Sequence, residues 1–225
     1  MNGRTHMAAG LFVSTAAAGT AASAYAAVTG TDTLTLPVLA LGSMAAAMAS
    51  TLPDCDQYDR KNKNGIGKLF HCMVMVAVFC FLLQWLTPKE ADWQYAMFYI
   101  LAIFAGILTE HRSATHSIAA LFGYSWLFYR MTGRNPEITI WFFLAYASHL
   151  ALDFLNKRGE MLFWPVMKKR FCLRLTRSES WLGKLIFKAA AACYTVLLAM
   201  ILYGMYKRGE FAWDKIRLLL PDGLI

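Results

Sequence analysis

The chain has 225 residues, of which 58% are hydrophobic and only 16% charged, and its mean hydropathy is +0.41. A soluble domain carries about a quarter charged residues, so this composition leaves too little polar surface to coat a water-soluble globule and points to a membrane protein. The net charge of +8 comes with no nucleic-acid-binding motif. In a membrane protein, basic loops set orientation and meet anionic lipid, so membrane lipid is the expected partner and nucleic acid is not.

A bilayer core of about 30 Å needs about 20 apolar residues per helix. Seven segments approach that length: 7–29, 34–52, 69–87, 93–109, 116–131, 138–155 and 184–206. The first follows Arg4 and has the outline of a signal peptide. Its Ala and Gly residues suit close helix packing in a membrane, so it is expected to be a retained helix. Breakers separate the segments at Thr31 to Thr33, Pro53, Gly65 to Gly67, Pro88, Gly133 to Pro136 and Gly159. No linker and no internal repeat divides the chain. The expectation is one all-α, membrane-embedded domain over 1–225, a polytopic bundle of about seven transmembrane spans. It has a basic loop at 156–184 and a short tail at 207–225. Cys55, Cys72, Cys80, Cys172 and Cys193 form no C-x-x-C pair and read as small apolar fillers kept reduced.

Seven spans place the N-terminus, 53–68, 110–115 and the loop from 156 to Lys188 on one face. That face holds fifteen of the 22 Lys and Arg residues. The positive-inside rule makes it cytoplasmic and the C-terminal tail external.

His6, Asp54, Asp56, His111, His116, His149 and Asp153 fall at this same face or within a turn or two of it, although histidine and aspartate played no part in choosing it. His149 and Asp153 are four apart near the end of the sixth segment. They share one helix face, where they can ligate one metal or lock two helices by a hydrogen bond. Between the fourth and fifth segments runs His111-Arg112-Ser113-Ala114-Thr115-His116-Ser117. A separation of five suits joint ligation from a loop-to-helix corner, with Ser113 or Thr115 as the helix cap. Arg112 between the two histidines can hold a phosphate by a bidentate pair or be part of a basic cytoplasmic turn. Pro53-Asp54-Cys55-Asp56 ends the second segment with two carboxylates, although an acid at a helix C-terminus is mildly unfavourable. His6 precedes the first segment. His71 has no acidic neighbour in sequence and reads as structural or interfacial.

At these residues the chain resembles the YdjM-like family of inner-membrane proteins classed as metal-dependent hydrolases. The matching pieces are Thr5-His6, Leu52-Pro53-Asp54-Cys55-Asp56, His111 through Ser117, Ser148-His149 through Asp153 to Gly159, and Leu162-Phe163-Trp164-Pro165. They follow the family's order and span residues 5 to 165. Three positions depart from its pattern: Gln57, Ser113 and Asn156 stand where histidine, glycine and threonine are usual. The resemblance implies a multi-pass hydrolase of the bacterial inner membrane whose histidines and aspartates bind metal.

The expected metal ligands are therefore His6, Asp54, Asp56, His111, His116, His149 and Asp153. This set suits zinc first, with manganese or iron as alternatives, and is large enough for one or two ions. A metal lowers the pKa of bound water toward about 7. Arg112 and Asp56 are the expected catalytic residues, with Arg112 stabilising the negative charge that develops in the reaction. The substrate class is a phosphoester or similar bond of a lipid or membrane-associated phosphate. The basic loop, with Phe163, Trp164, Phe171 and Trp181 among its cations, would lie on anionic head groups and deliver it. The alternative is a metal-handling or transport protein, which calls for ionisable groups along a mid-membrane path. Segments 69–87 and 184–206 carry only Gln84 and Lys188, both near ends. A purely structural role leaves the clustering on one face unexplained.

Overall fold

The computed structural model describes residues 3–30, 34–56, 65–87, 90–109, 112–175 and 180–211. Seven α-helices lie in this part: α1 (Gly3–Thr29), α2 (Leu36–Thr51), α3 (Gly65–Leu86), α4 (Trp93–Ile107), α5 (Ile118–Met131), α6 (Pro136–Phe154) and α7 (Trp181–Lys207). Among the described residues there is no strand, only an isolated antiparallel bridge between Glu160 and Phe171.

Helix starts follow local chemistry. The Asp92 carboxylate accepts from the backbone N–H groups of Gln94 and Tyr95 and opens α4. Asn135 caps α6 and Pro136 supplies its first turn. Ser180 caps α7, so Trp181 belongs to that helix rather than to the basic loop. The cap of α5 is Ser117, whose Oγ accepts from Ala120 N at 3.0 Å. Neither Ser113 nor Thr115 takes that part, because residues 114–116 wind into a short 3-10 turn first.

The helices run up and down. Helix α1 packs on α2, α6 and α7, α2 on α6, and α4 and α5 on each other and through α5 on α6. Two glycines permit the closest approaches. A Cβ at Gly10 of α1 would sit 2.0 Å from Ser50 Oγ of α2 and 3.2 Å from Ala145 Cβ of α6. A Cβ at Gly42 would sit 2.5 Å from the Trp141 ring. Small residues here let backbones meet where Leu would hold them apart. Aromatic rings fill the interior, with Phe128 and Phe142 stacked at 4.4 Å and Tyr99, Tyr146 and Trp141 fully buried beside them.

The outer surface is apolar. Helix α7 exposes Val196 at 60% and Met200 at 67%, which a core helix of a soluble protein would cover. Two helices of 27 residues each, α1 and α7, have both the length and the apolarity to cross a membrane. Leu36–Thr51, Cys72–Leu86 and Trp93–Ile107 are apolar but shorter. The seven predicted segments are thus seven helices, and among the described residues two of them carry the full signature of a span.

After α6 the chain turns back over one end of the bundle. Leu173 N donates to Phe154 O and Leu175 N to Leu155 O, while Glu160 and Phe171 exchange backbone hydrogen bonds. This hairpin is docked by Met161 N on Arg112 O at 3.0 Å and by Ile118 N on Leu162 O at 2.9 Å. It closes the end where α1 and α5 begin and where α2, α4 and α6 finish.

Candidate metal centre

The site is assembled at that closed end. Helix α6 supplies His149 and Asp153, both fully buried and one turn apart. A 3-10 turn after α2 (Pro53–Asp56) carries Asp54, and the turn Ala114–His116 before α5 carries His116. The first turn of α1 supplies His6.

Donor atoms from different elements converge. Asp153 Oδ2 is 3.5 Å from His116 Nε2 and 4.0 Å from His149 Nε2. Asp54 Oδ1 is 3.9 Å from His116 Nε2 and 4.0 Å from His149 Nε2. One ligand atom from each of Asp54, His116, His149 and Asp153 lies within 4.8 Å of all the others. Ligands bound at about 2.0–2.2 Å to one tetrahedral ion stand about 3.3–3.6 Å apart, so a modest contraction brings these four onto a common cation.

The tautomer of His149 sharpens the point. Its Nδ1 lies 2.7 Å from the Ser50 carbonyl oxygen. A carbonyl only accepts, so Nδ1 carries the proton and donates. Nε2 then presents a lone pair, buried and without a hydrogen-bond partner, toward two carboxylate oxygens. A buried lone pair facing two carboxylate oxygens is an arrangement that a cation between them would stabilise. An outer hydrogen bond that fixes the imidazole tautomer is also how metal-binding histidines are oriented. The donor set therefore fits a divalent metal.

His6 joins from the side. Its ring stacks on His149 at 3.8 Å between centroids, and its Nε2 is 3.3 Å from Asp153 Oδ1. It belongs to the same cluster but stands outside the four converging atoms. Arg112 is also buried here, with Nη2 3.0 Å from Asp153 Oδ2 and Nη1 donating to Gly159 O at 3.4 Å. Its backbone is left-handed, with φ of 67°, a conformation that costs a non-glycine residue about 1–2 kcal/mol and gathers at functional sites. His111 and the side chains of Asp56 and His71 lie outside the described residues.

Three contributors have little or no signal in the sequence. Ser50 acts through its carbonyl, which any residue would supply. Tyr146 sits one turn before His149 on α6 and donates from its hydroxyl to Thr115 O at 2.5 Å, which fixes the His116 turn. Glu160, in the hairpin, is fully buried, and neither carboxylate oxygen has a hydrogen-bond partner among the described residues. Burial pushes its carboxyl up to about 8; the charges of His116 and Arg112 oppose the rise and Asp153 adds to it. Its place beside Gly159 in a basic loop was the available signal.

A family model described as YdjM inner membrane protein matches residues 1–212. The chain belongs to the YdjM inner membrane protein family. That match covers every described helix and turn of the site, so the cluster sits within the family's shared region. It also agrees with the apolar exterior, since the family is one of the inner membrane. No curated protein and no solved structure matches the chain.

Proposed function

We propose that this YdjM family member is a membrane-embedded, metal-dependent hydrolase that cleaves a phosphoester or similar bond of a lipid or membrane-associated substrate. The observation that carries this reading is the His149 Nε2 lone pair, held by the Ser50 hydrogen bond toward Asp54 and Asp153 in a buried pocket. Asp54, His116, His149 and Asp153 would hold the ion, with zinc favoured by the mixed His and Asp donors. When bound, such an ion would supply Lewis-acid chemistry and acidify water at the site.

The chain's own residues do the rest. His6 and Arg112 fix Asp153 from two sides. Arg112 stands where a rigid guanidinium stabilises negative charge developing on a phosphoryl or acyl group. Asp56, two residues beyond Asp54, remains the second catalytic candidate, and His111 a further ligand. Asp54 is the least sealed of the four converging residues, with its side chain 17% exposed, so substrate would approach on its side. The hairpin tip exposes Phe163, Val166 (90%) and Met167 beside the cations Lys168, Lys169 and Arg170. That pairing of apolar and basic groups suits an anionic head-group layer at the mouth of the site. The basic bias of the same end supports a cytoplasmic orientation in a multi-pass arrangement.

The test is elemental analysis of the purified protein followed by hydrolysis assays on phospholipids and lipid-linked phosphates. Stoichiometric divalent metal that is absent from His149→Ala, together with metal-dependent release of phosphate or head group, is expected. Protein that neither retains nor rebinds divalent metal would refute the reading. Metal without hydrolysis of any of these substrates would move the metal-handling alternative ahead.

A further inference from the structure

The sequence scatters five cysteines, but the fold brings two of them together beside the metal centre. Cys55 lies between Asp54 and Asp56 in the 3-10 turn, and Cys72 lies seventeen residues on, near the start of α3. Their Sγ atoms are 3.1 Å apart. A disulfide needs about 2.05 Å between sulfurs, so closing the bond asks for a contraction of about 1 Å. A cavity of about 40 Å³ adjoins Cys72 and is lined also by Met48, Thr51 and Met75, which leaves room for that shift. Cys172 and Cys193 lie elsewhere, and Cys80 is buried two turns further along α3.

We propose that Cys55 and Cys72 form a reversible dithiol–disulfide site whose oxidation loosens the metal centre; this rests on the metal-binding reading above. Cys72 is the more open of the two and Cys55 is buried. The oxidant is a small-molecule disulfide. The Cys72 sulfur attacks it, forms a mixed disulfide and releases one thiol. Cys55 then displaces the second thiol and completes the internal bond, so two protein thiols are oxidised as one external disulfide is reduced to two thiols. The new bond ties the Asp54 turn to α3. Asp54 is the residue next to Cys55, so its carboxylate moves with that turn. Whatever part of the contraction Cys55 takes draws the adjacent Asp54 carboxylate away from His116 and His149, which its oxygen faces at 3.9 and 4.0 Å.

The test uses the full-length protein in detergent or nanodiscs, with oxidised glutathione as the disulfide and zinc as the metal. Peptide mapping should find a Cys55–Cys72 cross-link, reversed by dithiothreitol, with zinc affinity falling at least tenfold in the oxidised form. Cys72→Ser should bind zinc like the reduced wild type and keep that affinity in oxidised glutathione. Absence of the cross-link, or mixed glutathione adducts that never resolve, would overturn the dithiol site whatever the metal does. A cross-link with unchanged zinc affinity would overturn the coupling. Reduced wild-type protein that binds no zinc would instead overturn the metal reading, and the coupling with it.

Discussion

His149 donates from Nδ1 to the Ser50 carbonyl across the α2–α6 interface at 2.7 Å, and this one bond decides which ring nitrogen faces the carboxylates. Ser50 is also the residue against which Gly10 packs. The tautomer at the site and the fit of three helices are thus set at the same place.

Gly10→Ala is expected to disturb both. The added methyl would meet Ser50 Oγ at 2.0 Å, and overpacking of this kind typically costs about 1–3 kcal/mol. The α1–α2 gap should widen, Ser50 should shift, and zinc affinity should drop along with the thermal midpoint. Ser50→Ala in the Gly10→Ala background removes the clashing hydroxyl and should restore part of both. Unchanged zinc affinity in Gly10→Ala would mean that the Ser50 carbonyl does not orient His149.

Ligand substitutions should separate His6 from the four converging residues. His116→Ala, His149→Ala, Asp54→Asn and Asp153→Asn should each reduce bound zinc to background by elemental analysis. His6→Ala should leave a site that still binds, weakened about 10–100-fold as for loss of an orienting partner. A loss as complete as that of His149→Ala would make His6 a ligand in its own right.

The Arg112–Asp153 pair is buried on both sides at 3.0 Å. Removing one member of such a pair typically costs about 3–5 kcal/mol, because the other charge is left uncompensated. Arg112→Ala should therefore unfold at markedly lower denaturant. Arg112→Lys keeps the charge but loses the planar fork that reaches Asp153 and Gly159 O together. It should insert, fold and retain metal, yet turn over a substrate far more slowly. Full turnover in this variant would reduce Arg112 to a structural anchor.

Glu160 makes stability fall with rising pH. Its carboxyl titrates near 8 in the folded protein against an ordinary 4.5. Between those values the native state holds a proton that the unfolded state has released, so the unfolding free energy declines as pH rises. The loss begins near pH 4.5, is complete near pH 8 and amounts to a few kcal/mol. Glu160→Gln, uncharged throughout, should flatten the dependence of the thermal midpoint across pH 5 to 8. An equally steep profile in Glu160→Gln would assign it to other groups.

Topology follows from the distribution of basic residues. Reporter fusions at Lys63 and Lys215 should fall on opposite sides of the membrane, with Lys63 cytoplasmic. Both on one side would remove an odd number of crossings between them, and with it the seven-span arrangement.

The sequence by itself determined the class and the helices. Apolar segments near 20 residues long, with Pro, Gly and capping residues between them, are local properties, and α1 to α7 appear close to where these signals place them. His149 and Asp153 were legible as a pair because helical periodicity puts residues four apart on one face. Several things were decided by tertiary structure alone. The partnership of Cys55 with Cys72 and the burial of Glu160 depend on how α3 and the hairpin close over the bundle end. The direction of the His149 lone pair depends on a backbone carbonyl 99 residues away. Every residue carries such a carbonyl, so no side-chain pattern could announce it; only the packing of α2 on α6 selects Ser50.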